Sequence, residues 1–208
     1  MNQLMPDATP ASPAMSTTRL ESFSDGVLAV IITIMALELK APHGTHLADL
    51  RALAPVFAAY AISFSVIGTY WNNHHHMVRA MRNITPGIMW ANLHLLFWLS
   101  LIPFMTSWLG QHYITVLPTI CYAILLLICG FAYQILQMQV LRSNKDHHLH
   151  RRFGRDYKGK LSLACYLLAI PLAFVSHWLA DGLFFVVSIA WFIPDQRLSP
   201  DTPVEPSR

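Results

Sequence analysis

The sequence has few charged residues. Asp, Glu, Lys and Arg together make up 12% of its 208 residues, against roughly 25% in a typical soluble domain. Hydrophobic residues make up 54%, and the mean hydropathy is +0.42. This shortage of charge excludes a soluble globular domain and predicts an all-α integral membrane protein. The net charge of +3 is too small to indicate a nucleic-acid partner.

The sequence also lacks the motifs of common catalytic and metal sites. It contains no glycine-rich phosphate loop, no nucleophile elbow and no paired carboxylates suited to hydrolysis. Cys121, Cys129 and Cys165 lie in apolar stretches without metal or redox spacing. His74, His75 and His76 are adjacent, and consecutive residues of a helix point about 100° apart, so a triplet is a poor chelator. We therefore expect no enzyme activity, no cofactor and no bound metal.

The sequence is rich in long apolar runs. A helix that spans a bilayer needs about 20 apolar residues. The runs are Leu20–Leu39, Ala52–Trp71, Gly87–Leu109, Tyr113–Leu141 and Leu161–Ile193. The last is too long for one helix and is interrupted by His177 and Asp181, so we predict a hairpin of two short spans. This gives six transmembrane helices in a domain covering residues 19–193, between disordered, Pro-rich tails at 1–18 and 194–208.

The positive charges are distributed unequally between the two sides of this six-span topology. The side with both termini holds 12 of the 14 Lys and Arg residues, and the other side holds only Lys40 and Arg51. The positive-inside rule therefore predicts a multi-pass protein of the cell membrane with both tails in the cytoplasm. The basic segment 142–160 is expected to contact anionic membrane lipids.

The first helix carries polar residues where a membrane helix is expected to be apolar. Its apolar core, Gly26–Leu37, rises only about 18 Å, against a hydrocarbon thickness of about 30 Å. Asp25 therefore either faces the bundle interior or a water-filled cavity, or caps the helix at the membrane interface. Further along, Val30, Thr33, Ile34 and Leu37 have the i, i+3, i+4, i+7 spacing of one helical face. This periodicity alone is compatible with packing as well as with a pore.

Three segments resemble the transmembrane protein 175 family of potassium channels. Arg19 followed by Phe23-Ser24-Asp25 is similar to the family's first-helix signature R-x-x-x-F-S-D. Tyr70-Trp71 followed by His74-His75 resembles the end of its second helix. The stretch WANLHLLFWLSLIPFMT, residues 90–106, resembles its third helix. The matches together span residues 19–106.

The resemblance implies a prokaryotic member: a homotetramer that passes potassium ions through a pore lined by the first helix. Selectivity would not use a carbonyl filter, and no T-V-G-Y-G loop is present. It would instead use an apolar ring at Val30, a hydroxyl layer at Thr33 and further apolar rings at Ile34 and Leu37. The family favours Ile or Leu at the position of Val30, so valine implies a slightly wider ring.

The resemblance also implies a polar cluster at the cytoplasmic mouth of the pore. In this chain its members would be Arg19, Phe23, Ser24, Asp25, His74, His75 and Asn92.

Two other functions are compatible with parts of the sequence. A proton-coupled secondary transporter would use Asp25 and nearby histidines as a relay, but such transporters favour internal repeats, and no convincing repeat of two halves is present. A membrane enzyme or metal-binding protein would use the histidines, but a complete ligand set is missing. The passive potassium channel is therefore the preferred interpretation.

Overall fold

A computed structural model describes residues 16–81, 83–144 and 157–192 of the chain, and the regular structure in these ranges is entirely α-helical. The helices are α1 (Thr17–Leu37), α2 (Leu47–Ala52), α3 (Ala54–Ala80), α4 (Pro86–Leu99), α5 (Ile102–Gln111), α6 (Val116–Ser143), α7 (Tyr157–Val175) and α8 (His177–Phe192). Most of the predicted N-terminal tail (1–18), all of the predicted C-terminal tail (194–208) and much of the basic segment lie outside the described residues.

Five of the described segments are long and apolar enough to cross a membrane, and α4 and α5 together form one of them, Pro86–Gln111. The chain is therefore a multi-pass membrane protein. The run 161–193 forms two helices, α7 and α8, which adjoin at Ser176 and pack against each other. The second of them is apolar but shorter than the other spans.

Two helices extend beyond the apolar runs that predicted them. α1 begins at Thr17, inside the predicted tail, because Ser16 caps it by accepting a hydrogen bond from Arg19 N at 3.4 Å. α3 continues to Ala80, whereas its apolar run ends at Trp71. The expectation that 73–85 forms a loop is therefore wrong for most of that segment. Its polar side chains pair with other helices, as described below, so the helix gains contacts there without being apolar.

The third span is broken, which hydropathy did not predict. α4 ends at Leu99 and α5 begins at Ile102, with Pro103 in the first turn of α5. Proline has no backbone N–H, and its ring collides with the carbonyl four residues earlier in a continuous helix. The chain instead forms a turn at this point, in which Leu101 N donates to Trp98 O at 3.2 Å.

The centre of the fold is α6, which packs against α4, α5, α7 and α8, while α3 packs against α1, α5 and α8. Several α6 side chains are completely buried, including Tyr122, Leu126 and Cys129. Hydroxyl groups bond three of the packed helices together. Thr106 Oγ1 of α5 lies 2.7 Å from Ser63 Oγ of α3, which in turn lies 2.8 Å from Tyr122 Oη of α6. These buried hydroxyls are thus paired within the protein, as a membrane interior requires.

The close contact between α3 and α5 generates a stability prediction. A Cβ on Gly110 would lie 2.9 Å from Val56 Cα, a backbone atom that cannot rotate away. We expect Gly110→Ala to lower the unfolding free energy by about 1–3 kcal/mol, the usual range for overpacking. The measurement is the midpoint of thermal unfolding in detergent. Gly68→Ala on α3 is the control, because nothing lies within 4 Å of its added Cβ. Equal midpoints for the two variants would contradict the prediction.

Candidate functional site

One face of α1 is covered by the rest of its own chain. Its buried residues recur every three or four positions and pack against α3, α4 and α5. They are Leu20, Ser24, Leu28, Ile31 and Met35. This spacing puts them on a single stripe of the helix, so the rotation of α1 about its axis is defined by the packing.

The residues predicted to line a pore lie on the part of α1 that its own chain leaves uncovered. Val30 is 57% exposed, Ile34 43% and Leu37 76%. Thr33 is also exposed, and its hydroxyl donates to Ala29 O at 2.8 Å within the same helix. Phe23, of the predicted polar cluster, is exposed as well. Large apolar side chains therefore form a continuous exposed face along the helix.

A buried hydrogen-bonded chain connects α1, α4 and α3 near the start of α1. Asn92 Nδ2 donates to Ser24 Oγ at 2.9 Å, and His74 Nε2 lies 2.7 Å from Asn92 Oδ1. Ser24 and Asn92 are fully buried, and His74 is 2% exposed. Because an amide oxygen only accepts, Nε2 of His74 carries the proton in this pair. The three residues bond one helix to two others in the apolar interior.

Three further contacts join α1 to α3 beside this chain. Trp71 Nε1 donates to Asp25 Oδ1 at 3.0 Å. Glu21 Oε1 lies 2.8 Å from His75 Nδ1 and 3.5 Å from Arg79 Nε. Trp71, His75 and Arg79 are spaced four residues apart on α3, and so meet a single side of α1.

The structure brings some of the sequence-predicted cluster together and leaves other members out. Ser24, His74 and Asn92 are in direct contact, while Asp25 and His75 bind different partners beside them. Arg19 is exposed, and within the described residues Asp25 is paired with Trp71 rather than with Arg19.

Sequence reasoning left three residues out of the cluster: Glu21, Trp71 and Arg79. A signal for two of them was available, because Glu21 lies one helical turn before Asp25 and Trp71 lies one turn before His75. Arg79 had no such signal, since its segment was expected to form a loop.

The opposite end of α1 is also held by polar contacts. Ser107 Oγ of α5 donates to Glu38 Oε2 at 3.2 Å, and Gln111 Nε2 donates to Ser107 Oγ at 2.9 Å. These three residues line an open groove that runs beside the exposed Ile34. In the part of the chain that the structure describes, no group of three or more His, Cys, Asp or Glu residues is placed to bind a metal ion.

The buried chain predicts an energetic coupling between Ser24 and Asn92. Removing either partner leaves a buried polar group unpaired, which costs about 1–3 kcal/mol. Measured coupling energies in membrane proteins average about 0.6 kcal/mol and reach about 1.7. We expect a double-mutant cycle of Ser24→Ala and Asn92→Ala, read from unfolding in detergent, to give a coupling in the upper part of this range.

A matched control is available on α3. Ser65 is partly buried and, like Ser24, donates to a carbonyl four residues earlier on its own helix. The cycle of Ser65→Ala with Asn92→Ala should show no coupling. A coupling of similar size in both cycles would argue against a specific Ser24–Asn92 bond.

The chain is similar in sequence to known potassium channels. A family model described as endosomal/lysosomal potassium channel TMEM175 matches residues 19–103, the segment that holds the exposed α1 face and the buried chain. A potassium channel of Chryseobacterium sp. (strain P1-3) is 43% identical over 185 residues, which cover 88% of this chain and 96% of that protein. A potassium channel of Streptomyces collinus is 30% identical over 170 residues, covering 76% and 82% respectively.

Among solved structures, the chain is similar to the crystal structure of a lysosomal potassium-selective channel TMEM175 homolog from Chamaesiphon minutus. The TM-score is 0.74 at 28% sequence identity, and the match covers 85% of this chain and 96% of the other. The similarity thus extends over nearly the full length of bacterial relatives and includes their fold. The chain belongs to the TMEM175 family, among its prokaryotic members.

Proposed function

We propose that the chain forms a potassium-permeable homotetrameric channel in which α1 of each subunit lines a central pore. The observation that carries this proposal is the uncovered face of α1. Val30, Thr33, Ile34 and Leu37 lie on the side of the helix that the rest of the chain does not pack against. Relatives at 43% and 30% identity are named potassium channels, which supports potassium as the permeating ion.

An exposed apolar face on a membrane helix could contact lipid instead of lining a pore. On α1, however, polar residues lie on the same side of the helix, and these favour contact with water. Arg19 and Leu37 are 18 positions apart, about five turns of 3.6 residues, so the two lie on one line along α1. An arginine at this end of the helix is hydrated at the mouth of an aqueous pore, whereas on a lipid-facing side it would have to extend to the head groups. Thr33 adds a hydroxyl on the same face. Four copies of this face around a four-fold axis would form a closed ring.

Selectivity in this proposal comes from side chains. Val30, Ile34 and Leu37 would form apolar constrictions that gate by dewetting, and Thr33 would provide a hydroxyl layer between two of them. From Val30 to Leu37 the helix rises only about 10 Å, so the constrictions are closely stacked. Potassium then passes down its gradient without a second energy source.

The remaining architecture is proposed on the same basis. Residues 19–193 would form a six-helix channel domain, with α8 as a short sixth span, in the cell membrane in contact with lipid. By the positive-inside rule, the excess of Lys and Arg supports a topology in which both termini, the polar C-terminal end of α3 and the start of α7 are cytoplasmic.

The family is one of ion channels and not of enzymes. The proton-coupled transporter gains no support from the contacts of its proposed relay. His74 is buried in a bond to Asn92, and Asp25 accepts a hydrogen bond from Trp71. Both groups are thus held within the packing of α1 against its neighbours.

The experiment that tests the proposal is potassium flux into proteoliposomes under a potassium gradient alone. We expect flux with purified wild-type protein and none in protein-free vesicles. We expect Val30→Leu to lower the rate or raise the potassium-to-sodium ratio, because four leucines leave a narrower ring than four valines.

The control makes the same substitution away from α1. Val186→Leu changes an exposed side chain of α8 and should conduct like the wild type. If Val30→Leu changes neither rate nor ratio, Val30 does not form a constriction. Flux that requires a proton gradient would favour the transporter instead.

A further inference from the structure

A second candidate site lies away from α1, between α3, α6, α7 and α8. These helices enclose a cavity of about 520 Å³, a volume that includes the part open to solvent. Aromatic and aliphatic side chains dominate its wall, among them Tyr70, Tyr133, Tyr166, Trp191, Val66 and Val187. None of its lining residues belongs to α1, so the cavity is separate from the proposed pore.

The two serines of the wall are bonded within the protein. Ser162 Oγ accepts from Trp191 Nε1 at 2.9 Å and donates to Lys158 O at 2.9 Å. Ser188 Oγ donates to Phe184 O at 2.9 Å, on its own helix. An apolar ligand would therefore displace no hydrogen bond of these two serines. The wall also includes Thr69, Asn73 and Gln134, but most of its exposed surface is apolar, which favours a hydrocarbon over a polar solute.

The two ends of the cavity differ, because positively charged side chains lie at only one of them. Gly159, which lines it, stands between Lys158 and Lys160 at the start of α7. Lys158 Nζ lies 5.8 Å from the centroid of the Trp191 ring and 3.4 Å from Ala190 O. From Asn73 at this end, the wall of α3 extends to Val66, about 10 Å deeper along the helix. An apolar slot with lysines at its mouth matches an amphiphile with a negative head group.

We propose that the cavity binds an acyl chain of an anionic phospholipid, with the head group held by Lys158 and Lys160. The chain is a multi-pass membrane protein, so such lipids surround it, and cations at a membrane surface attract their head groups. The site requires only this membrane location. It is therefore independent of the proposed pore, and each proposal can fail without the other.

The test uses the full-length protein in liposomes that contain phosphatidylglycerol with a photoreactive group in its acyl chain. After irradiation, the labelled residues are mapped by mass spectrometry. We expect label on cavity residues such as Tyr166 and Val187. Ser188→Phe should abolish this label, because the new ring occupies the cavity. Ile189→Phe is the matched control, since Ile189 is exposed on the same helix, and it should retain the label.

The experiment also includes a second cavity-filling variant and a second lipid. Val66→Met narrows the cavity from the opposite wall and replaces Ser188→Phe if that variant elutes as aggregate in gel filtration. A phosphatidylcholine analogue with the same photoreactive chain should label the cavity less than phosphatidylglycerol, and Lys158→Gln should reduce that difference. Label spread over exposed surfaces without enrichment in the cavity would overturn the proposal. So would cavity label that persists in both filled variants, or equal label from the two lipids.

Discussion

The rest of this structure depends on the requirement that polar groups inside a membrane be bonded to other parts of the protein. Water is not available there to pair them, and each unpaired group costs free energy. Ser24 meets this requirement through Asn92, and Asn92 through His74. Because these residues belong to three different helices, the bonds hold α1 in one rotation about its own axis.

That rotation determines which side of α1 remains available to other molecules. Leu28, Ile31 and Met35 continue the buried stripe that Ser24 begins, and Glu38 is bonded to Ser107 at the far end. With α1 held at both ends, Val30, Ile34 and Leu37 face away from their own chain. In a pore formed by several copies of this face, the polar contacts would therefore determine which side chains line the pore. One rotation of α1 therefore both buries its polar residues against neighbouring helices and turns its apolar residues away from the chain.

Much of the fold could be predicted from the sequence, because a span needs a certain length of apolar residues and a helical face has a fixed period. Both features depend only on residues that are close together in the sequence. The shared helical face of Val30 and Leu37 is an example. The extension of α3 to Ala80 could not be predicted from hydropathy, because its polar side chains are stabilised by partners on other helices. The pairing of Asp25 with Trp71 joins residues 46 positions apart, and nothing in their local sequence distinguishes it from a pairing with Arg19. The break before Pro103 has a local cause, the proline itself, and could have been predicted from the sequence, although hydropathy alone does not indicate it.

If α1 lines the pore, its exposed face must be accessible to water in the conducting protein, and this accessibility can be measured. Cysteine is introduced at Leu37, the most exposed of the proposed pore residues at 76%, in a background with Cys121, Cys129 and Cys165 replaced by alanine. A positively charged, membrane-impermeant thiol reagent is then added while potassium flux is recorded. We expect the reagent to stop flux in this variant but not in one with cysteine at Leu179, an exposed position on α8. Complete modification of the cysteine at position 37 with unchanged flux would contradict this expectation.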